Sequence, residues 1–310
     1  MAAVAVLMAA CAGPALPTPV PTPVTSSTST PVGTSATVPT TSPAPARTSP
    51  PTAAPEPAVT PRPSPTSTAP SVTTPSAAWH PVRGATWQWQ LAGAIDTSVA
   101  ASVFDLDADD TPAGTVAALH RQGRHVICYV DVGTWESYRA DAARFPKAVL
   151  GKVVDGWPDE RWLDIRRLDV LAPLLRERLD TCARKGFDAV EPDWLDAYDQ
   201  ATGFPITKTV SVTFDLWIAK EAHARGLGVA QKNAPGLTGS LHRAFDFAIT
   251  EDCVEYDECA AYGAYLDAGR AVLDTEYIAK PAAYCAVARR LRISAIGKRL
   301  ELDAWRRTCP

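Results

Sequence analysis

The sequence predicts an α/β protein: a (β/α)8 TIM barrel preceded by a disordered Pro/Thr/Ser-rich stalk. Three observations carry that expectation. Every aromatic residue and nearly every charge falls in the last 232 of the 310 residues, enough for one domain with a full core. Within that stretch, eight short β-rich runs alternate with helical patterns. Several runs follow a glycine that stops a helix, as in Arg121-Gln-Gly123, Arg184-Lys-Gly186 and Ala224-Arg-Gly226.

Taken in order, residues 1–11 are nearly all apolar and end Leu7-Met8-Ala9-Ala10-Cys11. That is the apolar stretch and small-residue site of a lipoprotein signal peptide, with Cys11 as the acylated residue. Residues 12–78 hold 18 of the 28 prolines and only three charges, Arg47, Glu56 and Arg62. Such a segment cannot bury enough apolar surface to offset chain entropy, so an extended stalk is expected. The barrel domain, 79–310, opens with strands at 86–90 and 102–106, a helix at 115–122 and a strand at 126–130. A helix at 168–185, a strand at 189–191, a helix at 210–225 and a strand at 228–231 follow. Strands at 245–250 and 271–275, a helix at 281–291 and a strand at 293–296 complete it. A doubly wound open sheet is the competing fold, but no Gly-rich phosphate loop follows the first strand.

The formal charge is −4; removing the stalk's +1 leaves about −5 on the barrel domain, which argues against nucleic acid. No apolar run is long enough to span a bilayer. Membrane contact is therefore expected only through a lipid at Cys11, on the outer face of a bacterial cell membrane, with a secreted form as the alternative. A monomer is expected. The six cysteines after Cys11 are an even number in an exported chain and suggest disulfides. Cys253 and Cys259 can close a small loop, Cys285 and Cys309 can pin the C-terminal segment, and Cys128 pairs with Cys182 by elimination.

In a barrel the chemistry sits at the C-terminal ends of the strands. Those positions read Asp105 and Asp107, then Asp131 and Glu136, then Glu191, Asp193 and Asp196. Lys232 and Asn233 follow, then Glu251 and Asp252, then Glu276 and Tyr277. Crowded carboxyls split their pKa values, which is what glycoside hydrolysis asks of its acid and its ionised partner. Metal hydrolases on barrels usually add histidine ligands, yet none of the five histidines lies at a strand's C-terminal end. An all-oxygen Mg²⁺ or Ca²⁺ site is the alternative use of the acids; no metal and no cofactor is expected. There is no GxSxG elbow, and Lys232 reads as an ion-pair or substrate-binding residue rather than a Schiff base. Trp87 and Trp89 read as core, whereas Trp135, Trp157, Trp162 and Trp194 are candidates for stacking on sugar rings.

Several runs resemble glycoside hydrolase family 114. They are Trp87-Gln-Trp-Gln-Leu91, Cys128-Tyr-Val-Asp-Val-Gly133, Gly156-Trp-Pro-Asp-Glu-Arg-Trp-Leu-Asp-Ile165 and Gly186-Phe-Asp-Ala-Val-Glu-Pro-Asp193. Lys232-Asn233, Phe245-Asp-Phe247, Thr250-Glu-Asp-Cys253, Glu255-Tyr-Asp-Glu-Cys259 and Glu276-Tyr277 continue the match in order. The resemblance implies an endo-α-1,4-polygalactosaminidase on a (β/α)8 barrel, acting with retention on a cationic galactosamine polymer. It makes Asp193 the nucleophile and Glu251 the general acid/base. It lines the cleft with Asp131, Glu136, Glu191, Asp196, Tyr198, Lys232, Asn233 and Tyr256. Two departures accompany it: Trp194 stands where the family usually has Asn, and Asp131-Val132 stand where Ser and Ala are common. A non-catalytic polysaccharide-binding lipoprotein, or a glycosidase for a different α-linked sugar, is the competing expectation.

Overall fold

Twelve strands form two sheets in a computed structural model that describes residues 78–277 and 280–309. The expected signal peptide, Cys11 and the stalk up to residue 77 lie outside the described residues. In chain order the strands are β1 (Trp87–Gln90), β2 (Val103–Asp107), β3 (His125–Asp131), β4 (Thr134–Glu136), β5 (Leu150–Val154) and β6 (Trp157–Leu163). Then come β7 (Ala189–Asp193), β8 (Gly228–Lys232), β9 (Phe247–Glu251), β10 (Val272–Glu276), β11 (Ser294–Gly297) and β12 (Arg307–Thr308). The helices are α1 (Ala113–Arg121), α2 (Leu168–Lys185), α3 (Lys208–His223), α4 (Thr238–Leu241), α5 (Gly263–Asp267) and α6 (Pro281–Leu291).

The main sheet runs β1-β2-β3-β7-β8-β9-β10-β11, all neighbours parallel, and then β12, antiparallel to β11. It curls until β1 faces β11, where the Trp87 indole donates to the Ser294 carbonyl oxygen at 2.8 Å. Among the described residues no ladder joins these two strands, and the segment before β12 fills the seam. The Leu91 amide donates to the Leu302 carbonyl oxygen at 3.0 Å, the Gln88 side-chain Nε2 to that of Ala304 at 2.9 Å, and the Arg306 guanidinium to that of Trp87.

Side-chain alternation along the strands makes two apolar layers. Trp87, Trp89, Val103, Ile127, Phe247, Ile249, Leu273 and Ile296 fill the inside of the curl. The opposite parity, including Phe104, Val126, Val190, Val229 and Val272, packs outward with helix residues such as Leu171, Leu175, Leu179 and Phe214. Three disulfides join Cys253 to Cys259 and Cys285 to Cys309, as expected, and Cys128 to Cys182, the pair reached by elimination.

The structure departs from the regular strand–helix repeat in four connections. No helix separates β1 from β2. The β8–β9 and β9–β10 connections contain only the short α4 and α5, each preceded by a 3-10 turn, where Pro235, Gly236, Gly239, Gly263 and Gly269 break up longer helices. Between β3 and α2 lies an antiparallel three-stranded sheet, β4-β6-β5. Its hairpin turns at Asp155-Gly156, with Gly156 at φ +81°, a turn that the dipeptide favours.

Candidate active site

The site is organised by one buried cation. Lys232, at the end of β8, is 1% exposed. Its Nζ lies 3.0 Å from Asp193 Oδ1, 3.1 Å from Glu191 Oε1 and 3.1 Å from Glu251 Oε2. The Trp89 ring centroid is 4.7 Å away, so an aromatic face closes the cage from within the curl. Burial alone would favour the neutral amine, but three surrounding carboxylates hold the Lys232 pKa well above its ordinary value. The side chain is therefore an ammonium, which fits the ion-pair expectation and not a Schiff-base nucleophile.

Pro192 explains how a β8 side chain reaches two acids of β7. Proline has no N–H to donate, and the β7–β8 ladder consists of Ala189↔Gly228 and Val190↔Val229 alone. Above Val190 the two strands are tied by Lys232 bridging Glu191 and Asp193. Asp193 also accepts from the Tyr129 hydroxyl at 2.9 Å and from the Trp194 amide at 2.9 Å. Glu251 is clamped by Asn233, whose Nδ2 donates to Oε2 at 3.0 Å while its Oδ1 accepts from the Glu251 amide at 2.9 Å. The Tyr277 hydroxyl donates to Glu251 Oε1 at 2.6 Å. Burial pushes the Glu251 carboxyl up, but Lys232, Tyr277 and Asn233 together hold it below its ordinary range. Asp193 and Glu251 keep 14% and 27% of their side-chain surface exposed, whereas Glu191 is fully buried.

Around this centre the acids divide into a floor and a wall. Asp105 lies fully buried beside Glu191; burial and that neighbour's charge push its carboxyl well above the ordinary range. Burial likewise raises Glu191 to about 7 even though Lys232 opposes it. The wall comes from β3 and the antiparallel sheet. Asp131 accepts from the Thr134 amide at 2.8 Å and from its hydroxyl, which also reaches Glu160 at 3.2 Å. Burial and then Glu136 raise both Asp131 and Glu160, the latter to about 7. Arg139 binds Glu136 at 2.6 Å and Asp107 at 2.8 Å, fixing the outer end of the wall.

The chain is strained just past the functional side chains. Trp194, Asn233, Ala234 and Asp252 have φ of 63°, 45°, 54° and 52°, each within two residues of Asp193, Lys232 or Glu251. Left-handed backbone costs about 1–2 kcal/mol for most residues and less for Asn or Asp. That conformation suits the Asn that the family resemblance expects at 194. Trp194 adopts the same conformation here, with its carbonyl pressed so closely on Gly133 that a Cβ there would collide. Its ring meets Trp162 edge-on, with centroids 5.0 Å apart, and Asp193 keeps its exposure.

Of the residues singled out from sequence, the structure brings Asp193, Glu251, Glu191, Lys232, Asn233 and Asp105 into one cluster and Asp131, Glu136 and Asp107 into its wall. Asp196 is bonded by Gln200 at 2.8 Å, and burial followed by other charges, Asp193 among them, raises its carboxyl. Tyr198 lies under Lys208, 5.8 Å from its ring centroid, and Tyr256 is 67% exposed on the loop closed by Cys253–Cys259. Glu276 is not part of the cluster. It shares strand parity with the outward Val272, accepts from the Val254 amide at 2.7 Å and lies by Asp274. The inward position is the next one, Tyr277. Cys253, Asp274 and Glu276 are close enough for a metal, but the Cys253 sulfur is spent in its disulfide. Trp162 is buried core, while Trp157 is 51% exposed at the hairpin turn. Sequence reading missed Glu160, Arg139 and Tyr129; the Asp-Gly turn was the signal for the hairpin that carries Glu160.

A curled parallel sheet with two partly exposed carboxylates at its C-terminal mouth, locked by neighbouring donors, defines a glycoside hydrolase. The family model for glycoside-hydrolase family GH114 matches residues 68–310, and the chain belongs to that family. The structure is similar to that of Aspergillus fumigatus Ega3 in complex with galactosamine, at 33% identity and TM-score 0.72, over 76% of this chain and 98% of that one. It shares its fold with the glycoside hydrolase domain of Pseudomonas aeruginosa PelA, at 15% identity and TM-score 0.57, over 72% of this chain and 98% of that one. An uncharacterized protein of Deinococcus radiodurans is 28% identical over 272 residues, which are 75% of this chain and 86% of that protein.

Proposed function

We propose that the protein cleaves internal bonds of α-1,4-linked galactosamine polymers, with Asp193 as nucleophile and Glu251 as general acid/base. The observation that carries this reading is the pair of carboxylates on one ammonium. Oxygens at 3.0 and 3.1 Å from a single nitrogen are no more than about 6 Å apart. That upper limit lies below the roughly 6.5–9.5 Å of inverting enzymes and admits the roughly 5–5.5 Å of retaining ones. Asp193, positioned by Lys232, Tyr129 and the Trp194 amide, attacks the anomeric carbon as Glu251 passes its proton to the glycosidic oxygen. Glu251 then takes a proton from water, which displaces Asp193 from the sugar with net retention. The wall of Asp131, Glu136 and Glu160 suits the ammonium groups of a galactosamine chain. Ega3, similar in sequence and structure, was solved with galactosamine, which supports the choice of sugar. The same proposal includes export, a lipid at Cys11 and a monomeric enzyme.

The protein incubated with polygalactosamine should give a falling mean chain length and short oligosaccharides, with α-anomers seen first by proton NMR. Binding with unchanged polymer length would establish the non-catalytic alternative, and β-anomers would establish inversion. The state of Glu251 sets a pH limb. As the acid, it must be protonated, and its lowered pKa places the loss of kcat/KM with rising pH on the acid side. Removing a donor destabilises the anion and raises the pKa. Tyr277→Phe should therefore lower kcat yet move that falling limb to higher pH. A limb that stays in place would show that Glu251 is not the titrating acid.

A further inference from the structure

Beyond Tyr277 the cleft changes sign. A cavity of about 350 Å³ there is lined by Tyr277, Lys298, Arg299, Leu300, Trp305 and Arg307. It meets the catalytic pair through Tyr277, which lines the cavity and whose hydroxyl donates to Glu251 at 2.6 Å. Its polar side chains beyond Tyr277 are all cationic donors. Lys298 is 2% exposed and burial lowers its pKa to about 8, with its Nζ given to the Asp303 carbonyl oxygen. Arg299 and Arg307 lie over the Trp305 ring, 4.8 and 5.7 Å from its centroid. The facing carboxylate, Asp303, is paired with Arg299 at 3.2 Å. Among the described residues Arg307 has no ion-pair partner.

Lysine and arginine carry donors and no acceptor. An ammonium sugar placed here meets like charge and finds nothing to accept its N–H groups. A carbonyl or carboxylate oxygen finds the guanidinium donors of Arg299 and Arg307, while a pyranose face or a methyl group can lie on Trp305 and Leu300. On the other side of the catalytic pair the wall is acidic instead, built on the buried Asp131, Glu136 and Glu160.

We propose that the Tyr277 side of the cleft is a subsite for a sugar whose ring substituent is a hydrogen-bond acceptor, acetamido or carboxylate, rather than ammonium. The proposal rests on the glycoside hydrolase reading of the adjoining pair and deepens it. The enzyme cuts where a free-amine stretch meets an acceptor-bearing unit, and its substrate is a mixed polymer.

The test uses partly N-acetylated α-1,4-galactosamine oligosaccharides and sequences the product ends by mass spectrometry. One new end, always the same one, should carry acetamido groups in roughly tenfold excess over the starting chain. The double variant Arg299→Glu/Arg307→Glu should abolish that excess and raise turnover of the fully deacetylated polymer. Equal acetylation at both new ends, or an excess untouched by the double variant, overturns the proposal. A calorimetric arm with the wild-type protein compares N-acetylgalactosamine and galacturonate oligosaccharides with the deacetylated chain. Tighter binding of the first or the second names the acceptor, and no advantage for either overturns the subsite. If no polymer is cut while that binding preference appears and is lost in the double variant, the hydrolase reading fails and the subsite stands.

Discussion

Replacing Asp193 by Asn, or Glu251 by Gln, is expected to reduce polymer cleavage by on the order of 10³-fold or more, each alone, without loss of fold. The two effects should not add, because each residue's step requires the other. Asn at 193 can still accept from the Trp194 amide through its side-chain oxygen, while its NH2, standing in for Oδ2, donates to the Tyr129 hydroxyl oxygen, so the pocket keeps its shape. It also removes one charge from a cluster in which Asp105, Glu191, Asp193 and Glu251 share a single lysine. The Asp193→Asn variant should therefore melt no lower than wild type, as circular dichroism can show. Gln at 251 is less benign, since its NH2 replaces one carboxylate oxygen and turns a donor either toward Tyr277 or toward Lys232 and Asn233. Reducing-end release on polygalactosamine reads the rate. Wild-type rates in either variant would remove that carboxylate from the mechanism.

Lys232→Met should inactivate the enzyme and also weaken the fold, by about 3–5 kcal/mol near neutral pH, because it leaves buried carboxylates without their counter-ion. Glu191 and Glu251 then titrate above their unfolded values. For acids shifted that way stability is fully present at low pH and lost as pH rises through the folded pKa. Urea unfolding at pH 5 should recover much of the loss seen at pH 7. A deficit equal at both values would mean that Lys232 stabilises by packing alone.

The barrel was readable because its strands are short apolar runs punctuated by glycine. Helix α2 lies at 168–185 as expected, ended by Gly186 in the left-handed conformation at φ 86°. Helix α3 starts two residues before the expected 210 because the Thr207 hydroxyl accepts from the Val210 amide and caps it. The β4-β6-β5 sheet escaped notice since much of β6 is exposed on both faces and gives little alternation. In the site, the carboxylates were legible as acids at strand ends, but their centre was not. Only the register of three strands shows that Lys232 serves Glu191, Asp193 and Glu251 together. Glu276 was misjudged through parity: with Leu273 inside, 275 and 277 follow it, and Tyr277 is the residue that reaches Glu251.

The left-handed residues after β7, β8 and β9 have a bearing on selection. Glycine at 194, 234 or 252 would relieve backbone strain of about 1 kcal/mol each. A screen for heat resistance that ignores activity would gather substitutions at these positions early, and they would loosen the backbone that aims Asp193, Lys232 and Glu251. For this enzyme the easiest gains in robustness lie beside the residues that do the work, so a lineage under thermal pressure must find its stability elsewhere in the barrel.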